Sequence, residues 1–154
     1  MKHITKSPRE TQKLGHFLLN KISLSTQKTG FVIALSGELG AGKTTLAQGL
    51  AKILGIKTKV KSPTFTLIKR YKLPKKIKNS KLKILNSKYL YHIDCYRLNN
   101  HKDLLSLGIK DILKDKENIV LIEWPERIKK ILSDKKINVK IEHVDKNTRR
   151  ISIS

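Results

Sequence analysis

The chain has 154 residues and carries 34 Lys or Arg against 12 Asp or Glu, a formal net charge of +22. That length suits one domain that buries roughly two-thirds of the surface of its unfolded chain, and 38% hydrophobic residues spread along it argue against a fibre or wholesale disorder. No apolar run approaches the ~18 residues that span a bilayer, no apolar leader follows the first charges, and the single cysteine, Cys95, has no internal disulfide partner, so the expectation is a cytoplasmic protein with no membrane association.

Ser7-Pro8-Arg9-Glu10 sets a capping serine, a proline at the first helical position and a glutamate three residues after the cap, which predicts a helix over 8–22 with Leu14, Phe17, Leu18 and Ile22 on its apolar stripe. Gly30 precedes FVIALS, a short continuous apolar run of the kind that forms a strand buried on both faces. After GELGAGKTT, apolar positions at Leu46, Ala47, Leu50, Ala51 and Leu54 with Gly55 beyond them predict a helix over 43–54. FTLIKRY (65–71) and YLYHID (89–94) read as strands, and the Lys-rich stretch between them as a basic hairpin insertion at about 72–88. Two short helices around 102–107 and 109–113 flank Gly108. NIVLIEW is a second strongly apolar strand, Pro125 starts a short helix through Leu132, and INVKIEHV with RRISIS makes an antiparallel pair about a DKNT turn. The expected fold is α/β: one P-loop NTPase-like domain over 1–154, a three-layer sandwich with a mostly parallel central sheet, helices on both faces and an antiparallel hairpin element.

Gly37 to Thr44 matches the phosphate-loop pattern G-x-x-x-x-G-K-[ST], with a strand before it and a helix after it. Glycines at 37, 40 and 42 let the backbone curl so that successive N–H groups aim at phosphate oxygens, and the helix that follows adds its positive dipole end. Lys43 supplies a point charge to the β- and γ-phosphates, and the Thr44 hydroxyl is placed to ligate Mg²⁺. A hydrolytic site needs a further carboxylate at the end of a parallel strand. Glu123, closing VLIE, and Asp94, closing YLYHID, stand at such ends. Thr64, in Ser-Pro-Thr, stands where a switch threonine reaches metal or γ-phosphate, although the tripeptide is also an ordinary turn. Cys95 reads as a small core residue, and the five histidines, His92 among them, do not repeat at metal-ligand spacing.

GELGAGKTT, VKSPTFTLIKRY, YHIDCYRL and LIEWPE, in this order, resemble the TsaE (YjeE) family, small bacterial ATPases required for threonylcarbamoyladenosine formation in tRNA. The resemblance is dense from Gly30 to Arg127. It implies that Lys43 and the loop from Leu39 through Gly40, Ala41, Gly42 and Thr44 to Thr45, together with Gly37, bind ATP phosphates. It further implies that Thr44 and Glu123 hold Mg²⁺, that Asp94 supports hydrolysis, and that Thr64 acts as the switch threonine. Trp124 matches a tryptophan at the active-site edge, with a packing role at a core corner as the alternative, and Thr11 is carried over to the base side of the nucleotide. The implied function is a weak Mg²⁺-dependent ATPase, an accessory subunit coupled to the TsaB and TsaD proteins and not itself the threonylcarbamoyl transferase. The long basic segment after Tyr71 departs from the family's usual short hairpin.

Residues 1–90 hold 20 basic and 2 acidic side chains, a net +18, whereas 91–154 hold 14 and 10. Such an excess suits tRNA contact, and equally a drift toward Lys and Ile on a solvated surface. Two rival readings follow: a small-molecule kinase, for which no Arg-rich lid cluster is visible, and an RNA-binding module with a vestigial nucleotide site.

Overall fold

The structure is a computed structural model, and it describes residues 1–23, 30–74 and 87–154. The strands are β1 (Lys2–Thr5), β2 (Phe31–Ser36), β3 (Ile68–Lys72), β4 (Tyr89–Asp94), β5 (Asn118–Glu123), β6 (Ile137–His143) and β7 (Arg149–Ile153). The helices are α1 (Pro8–Ser23), α2 (Lys43–Ile53), α3 (Lys102–Leu105) and α4 (Ile109–Lys114), with a 3-10 helix over Pro125–Ile131. All seven strands form one sheet in the order β1-β7-β6-β2-β5-β4-β3. Its four central strands run parallel, through β6–β2, β2–β5 and β5–β4 pairing. The edges are antiparallel, with β3 on one side and the β6–β7–β1 run on the other.

The central strands read as apolar runs because both their faces are covered. All six residues of β5 are buried, and successive side chains point to opposite layers. Ile119 and Leu121 join Ile33 and Leu35 of β2 under α1 and α2, where Leu18, Leu19, Leu46 and Leu50 are fully buried. Val120 and Ile122 join Val32 and Ile93 under the shorter α3, α4 and 3-10 segments, which contribute Leu104, Ile109 and Ile128. These are the expected three layers, and they leave the C-terminal ends of β2, β4 and β5 side by side.

Helix α1 begins where the sequence places it. The Glu10 N–H donates to Ser7 Oγ at 3.2 Å, while the Glu10 carboxylate accepts from the Lys6 N–H at 2.8 Å, one residue short of the usual return bond. It crosses α2 at very close range: a methyl group on Gly49 would stand 2.2 Å from the Gln12 carbonyl oxygen, and one on Gly15 would stand 2.7 Å from the Leu50 nitrogen. Both contacts are to backbone, which has no rotamer with which to move aside. Gly49→Ala is therefore expected to destabilise the protein by about 1–3 kcal/mol, the usual range for overpacking, read as a lower urea midpoint with an unchanged slope.

Two elements differ from the sequence expectation. β1 pairs with β7 over Lys2–Ser152 to Thr5–Arg149, yet KHIT carries no alternating apolar signal and Ile4 is exposed. That strand is specified by its partner edge. The expected strand over FTLIKRY begins only at Ile68. Residues 64–66 turn instead, with the Thr66 N–H donating to the Pro63 carbonyl at 3.0 Å, and Leu67 takes a left-handed φ of 60°. The cause lies at Asp94, whose backbone N–H donates to the Leu67 carbonyl and whose carboxylate accepts from Thr64. β3 and β4 do form the antiparallel hairpin, with Lys72 opposite Tyr89. The part of the basic insertion between 75 and 86 lies outside the described residues.

Candidate nucleotide-binding site

β2 ends at Ser36 and the chain turns at once into the glycine loop. Gly37 has a φ of 141°, and a side chain there would stand 2.2 Å from the Ile141 carbonyl oxygen, so the turn and the close pass of β6 both require glycine. Gly42 caps α2 in the left-handed region. The first helical bond runs from the Leu46 N–H to the Gly42 carbonyl, which leaves the N–H groups of Gly42, Lys43, Thr44 and Thr45 without helical acceptors. These four residues line a cleft of about 310 Å³ together with Leu39, Gly40, Ser62, Thr64, Asp94, Tyr96, Glu123 and Trp124. A helix N-terminus with open N–H groups on a cleft is built to take an anion.

Lys43 is 4% exposed and folds back on the loop, its Nζ donating to the carbonyls of Gly37 and Glu38, each at 2.8 Å. The same ammonium lies 4.0 Å from the centre of the Trp124 ring. Burial pulls its pKa below the ordinary lysine value, and the nearby carboxylates of Glu123, Asp94 and Glu126 oppose that shift. An arriving phosphate would favour the cation in the same way.

Glu123 ends β5 and Asp94 ends β4, and the two stand opposite each other in register. Both are buried. The Thr44 hydroxyl donates to Glu123 at 2.9 Å to Oε1 and 3.2 Å to Oε2. Asp94 gathers the other side of the cleft: Oδ2 accepts from the hydroxyls of Ser62 and Thr64, the latter at 2.8 Å, and Oδ1 accepts from the Tyr96 N–H at 3.0 Å. Trp124 takes a left-handed backbone (φ 59°, ψ 52°), anchored by its N–H to the Leu35 carbonyl at 3.1 Å, which sends the indole over Lys43 and against Tyr96. It lines the cleft and also packs against the core beneath α3 and α4.

The donor atoms offered to a metal are hydroxyl and carboxylate oxygens from Thr44, Glu123 and Asp94, the hard ligand set that suits Mg²⁺. Among the described residues no group of three or more His, Cys, Asp and Glu could hold a metal ion by itself.

The structure thus gathers Leu39, Gly40, Gly42, Lys43, Thr44, Thr45, Thr64, Asp94, Glu123 and Trp124 at one cleft. Gly37 and Ala41 support it from behind. Gly37 offers its carbonyl to Lys43, and fully buried Ala41 offers its own to Arg149 Nε at 3.0 Å. Thr11 is not among the lining residues: it is buried, and its hydroxyl shares a 2.8 Å hydrogen bond with Thr5. Four side chains at or behind the cleft carry no role in the sequence reading: Ser62, Tyr96, His92 and Arg149. Ser62 could have been found beside Thr64, Tyr96 two residues after Asp94, and His92 two residues before it on the same strand face. No local signal marks Arg149, 108 residues from its partner. Burial pushes the thiol of Cys95 up to about 12, with Asp94 and Glu126 adding to it. It is no nucleophile at neutral pH.

Residues 5–151 match the family described as threonylcarbamoyl adenosine biosynthesis protein TsaE. A tRNA threonylcarbamoyladenosine biosynthesis protein TsaE of Rickettsia conorii is 34% identical over 152 residues, 98% of this chain and 76% of the relative. The Haemophilus influenzae protein of the same name is 37% identical over 124 residues, 80% of this chain and 70% of the relative. That of Bacillus subtilis is 32% identical over 157 residues, covering 100% and 85%. The crystal structure of Bacillus subtilis YdiB superposes with a TM-score of 0.62 at 28% identity, covering 99% of this chain and 83% of that one. With a P-loop NTPase-like fold and a family match across nearly its whole length, the chain belongs to the TsaE family of tRNA threonylcarbamoyladenosine biosynthesis.

Proposed function

We propose that this chain is a Mg²⁺-dependent ATP hydrolase, an accessory subunit of the machinery that places N6-threonylcarbamoyl on adenosine 37 of ANN-decoding tRNAs, acting with TsaB and TsaD in the cytoplasm. The transfer itself belongs to TsaD. One observation carries the reading: Lys43, Thr44, Asp94 and Glu123 converge on a single cleft at the N-terminus of α2.

Each residue has a task that its surroundings permit. The N–H groups of Gly42 to Thr45 cradle the phosphates, and Lys43 exchanges its loop carbonyls for β- and γ-phosphate oxygens. Thr44 and Glu123 would hold Mg²⁺, which supplies charge neutralisation at the transferring phosphoryl group. Asp94, with Thr64 in its grip, orients the attacking water. Buried Glu123 and Asp94 are already fixed by Thr44, Ser62, Thr64 and backbone, so little reorganisation remains for the reaction to cost.

The basic excess is a separate matter. Lys69, Arg70 and Lys72 are exposed on the edge strand β3, far in the sequence from the loop. Contact with tRNA in the assembled complex is part of this proposal, and Lys75, Lys76, Lys78, Lys81 and Lys83 lie outside the described residues. Turnover measured with and without TsaB–TsaD and tRNA tests the coupling. A several-fold rise in phosphate release on adding the complex is expected, and a rate identical to that of the lone chain would overturn the accessory role.

A further inference from the structure

His92 sits on β4 two residues before Asp94, so the two share one face of the sheet, under α2. It is 1% exposed, and its Nε2 lies 2.8 Å from Oε1 of Glu123. An ionised carboxylate only accepts, so Nε2 carries the proton and donates. Oε1 then receives His92 from below and Thr44 from the loop, while Oε2 has only the longer 3.2 Å contact to Thr44. Two donors on one oxygen hold the carboxylate in place at the cleft that Glu123 lines.

The opposite ring nitrogen gives the second observation. Nδ1 of His92 is buried and has no hydrogen-bond partner among the described residues. A leucine would fill comparable space without the cost of an unpaired buried nitrogen, and the hydrogen bond to Glu123 is what the imidazole offers against that cost. The bond to Glu123 is the one polar tie this ring makes among the described residues.

We infer that His92 is a positioning residue for the metal-holding carboxylate: by donating Nε2–H to Oε1 it fixes the orientation in which Glu123, with the Thr44 hydroxyl, would hold Mg²⁺. This rests on the proposed metal role of Glu123. Groups that orient a ligating side chain commonly change metal affinity or activity 10–100-fold when removed, though they touch neither metal nor substrate.

The test uses the single tryptophan, Trp124, as a fluorescence reporter in the cleft. The intact chain is titrated with ADP in chelator and then with Mg²⁺ at fixed ADP, comparing wild type with His92→Gln, His92→Asn and His92→Leu. The Gln amide nitrogen reaches the place of Nε2, whereas the Asn amide is too short and Leu has no donor. His92→Leu and His92→Asn are expected to raise the half-saturating Mg²⁺ concentration about 10–100-fold with ADP affinity in chelator unchanged, and His92→Gln to restore it. Should the leucine variant fail to fold, the Gln–Asn pair carries the same comparison. Equal Mg²⁺ response in all variants overturns the inference, as does a parallel loss of ADP binding in chelator, which would mark a purely structural histidine. A wild-type protein whose ADP binding ignores Mg²⁺ would instead overturn the metal reading beneath it.

Discussion

Glu123→Gln is expected to lower Mg²⁺-dependent ATP turnover roughly 10²–10³-fold, the scale seen when one preorganised electrostatic group is removed from a reacting centre. The substitution keeps the shape of the side chain. Its amide oxygen can still accept from Thr44 or His92, whose donors both meet Oε1 at under 3 Å in the native protein. A buried negative charge disappears with it, which relieves desolvation but also removes the carboxylate that most favours the buried Lys43 cation, so the fold is expected to stand with some loss of stability. The loss should appear in kcat and in Mg²⁺ dependence, with ADP binding in chelator preserved. A variant that turned over at the wild-type rate would remove Glu123 from the metal site.

Lys43→Met is expected to act on binding. The methionine fills the same channel beside Trp124 but has no charge to offer a phosphate, and affinity for ATP should fall about 10–100-fold, the worth of one charge-assisted hydrogen bond. Stability is subject to two opposed effects. The variant loses the bonds from Nζ to the Gly37 and Glu38 carbonyls, yet it also loses a cation that burial disfavours. The sign follows from the depressed pKa: the cost of burying the cation is present in full below the folded pKa of Lys43 and fades as pH rises toward the unfolded value. With the lost hydrogen bonds and the relieved burial opposing each other, the net change in unfolding free energy should stay within about 1 kcal/mol. A calorimetric titration with ATP and a urea melt read the two quantities separately.

How much of this was written locally follows from the kind of signal each part uses. The strand–glycine loop–α2 unit is contiguous, and each of its requirements leaves a residue in place: apolar FVIALS for two covered faces, Gly37 for the pass of Ile141, Lys43 and Thr44 at the helix start. Asp94 and Glu123 were legible because a carboxylate ending an apolar strand has few structural reasons to be there. The turn at 64–66 was not, since its alternation mimics a strand and the force that bends it comes from Asp94, 30 residues away. Likewise β1 exists because β7 offers an edge, and Arg149 holds Ala41 across 108 residues. Those contacts are tertiary, and no window of sequence contains both partners. The net charge of +22, the loudest feature of the composition, said least about the site, where Lys43 is the one basic residue among the described residues that line the cleft.

The most direct measurement is inorganic phosphate release by the purified chain supplied with ATP, in Mg²⁺ and in chelator, with ADP followed in parallel. Slow release of phosphate equal to the ADP formed, present in Mg²⁺, abolished by chelator and absent from Thr44→Ala, is the predicted result. Phosphate release unaffected by chelator, or ADP formed without free phosphate, would contradict a Mg²⁺-dependent hydrolase built on Lys43, Thr44 and Glu123.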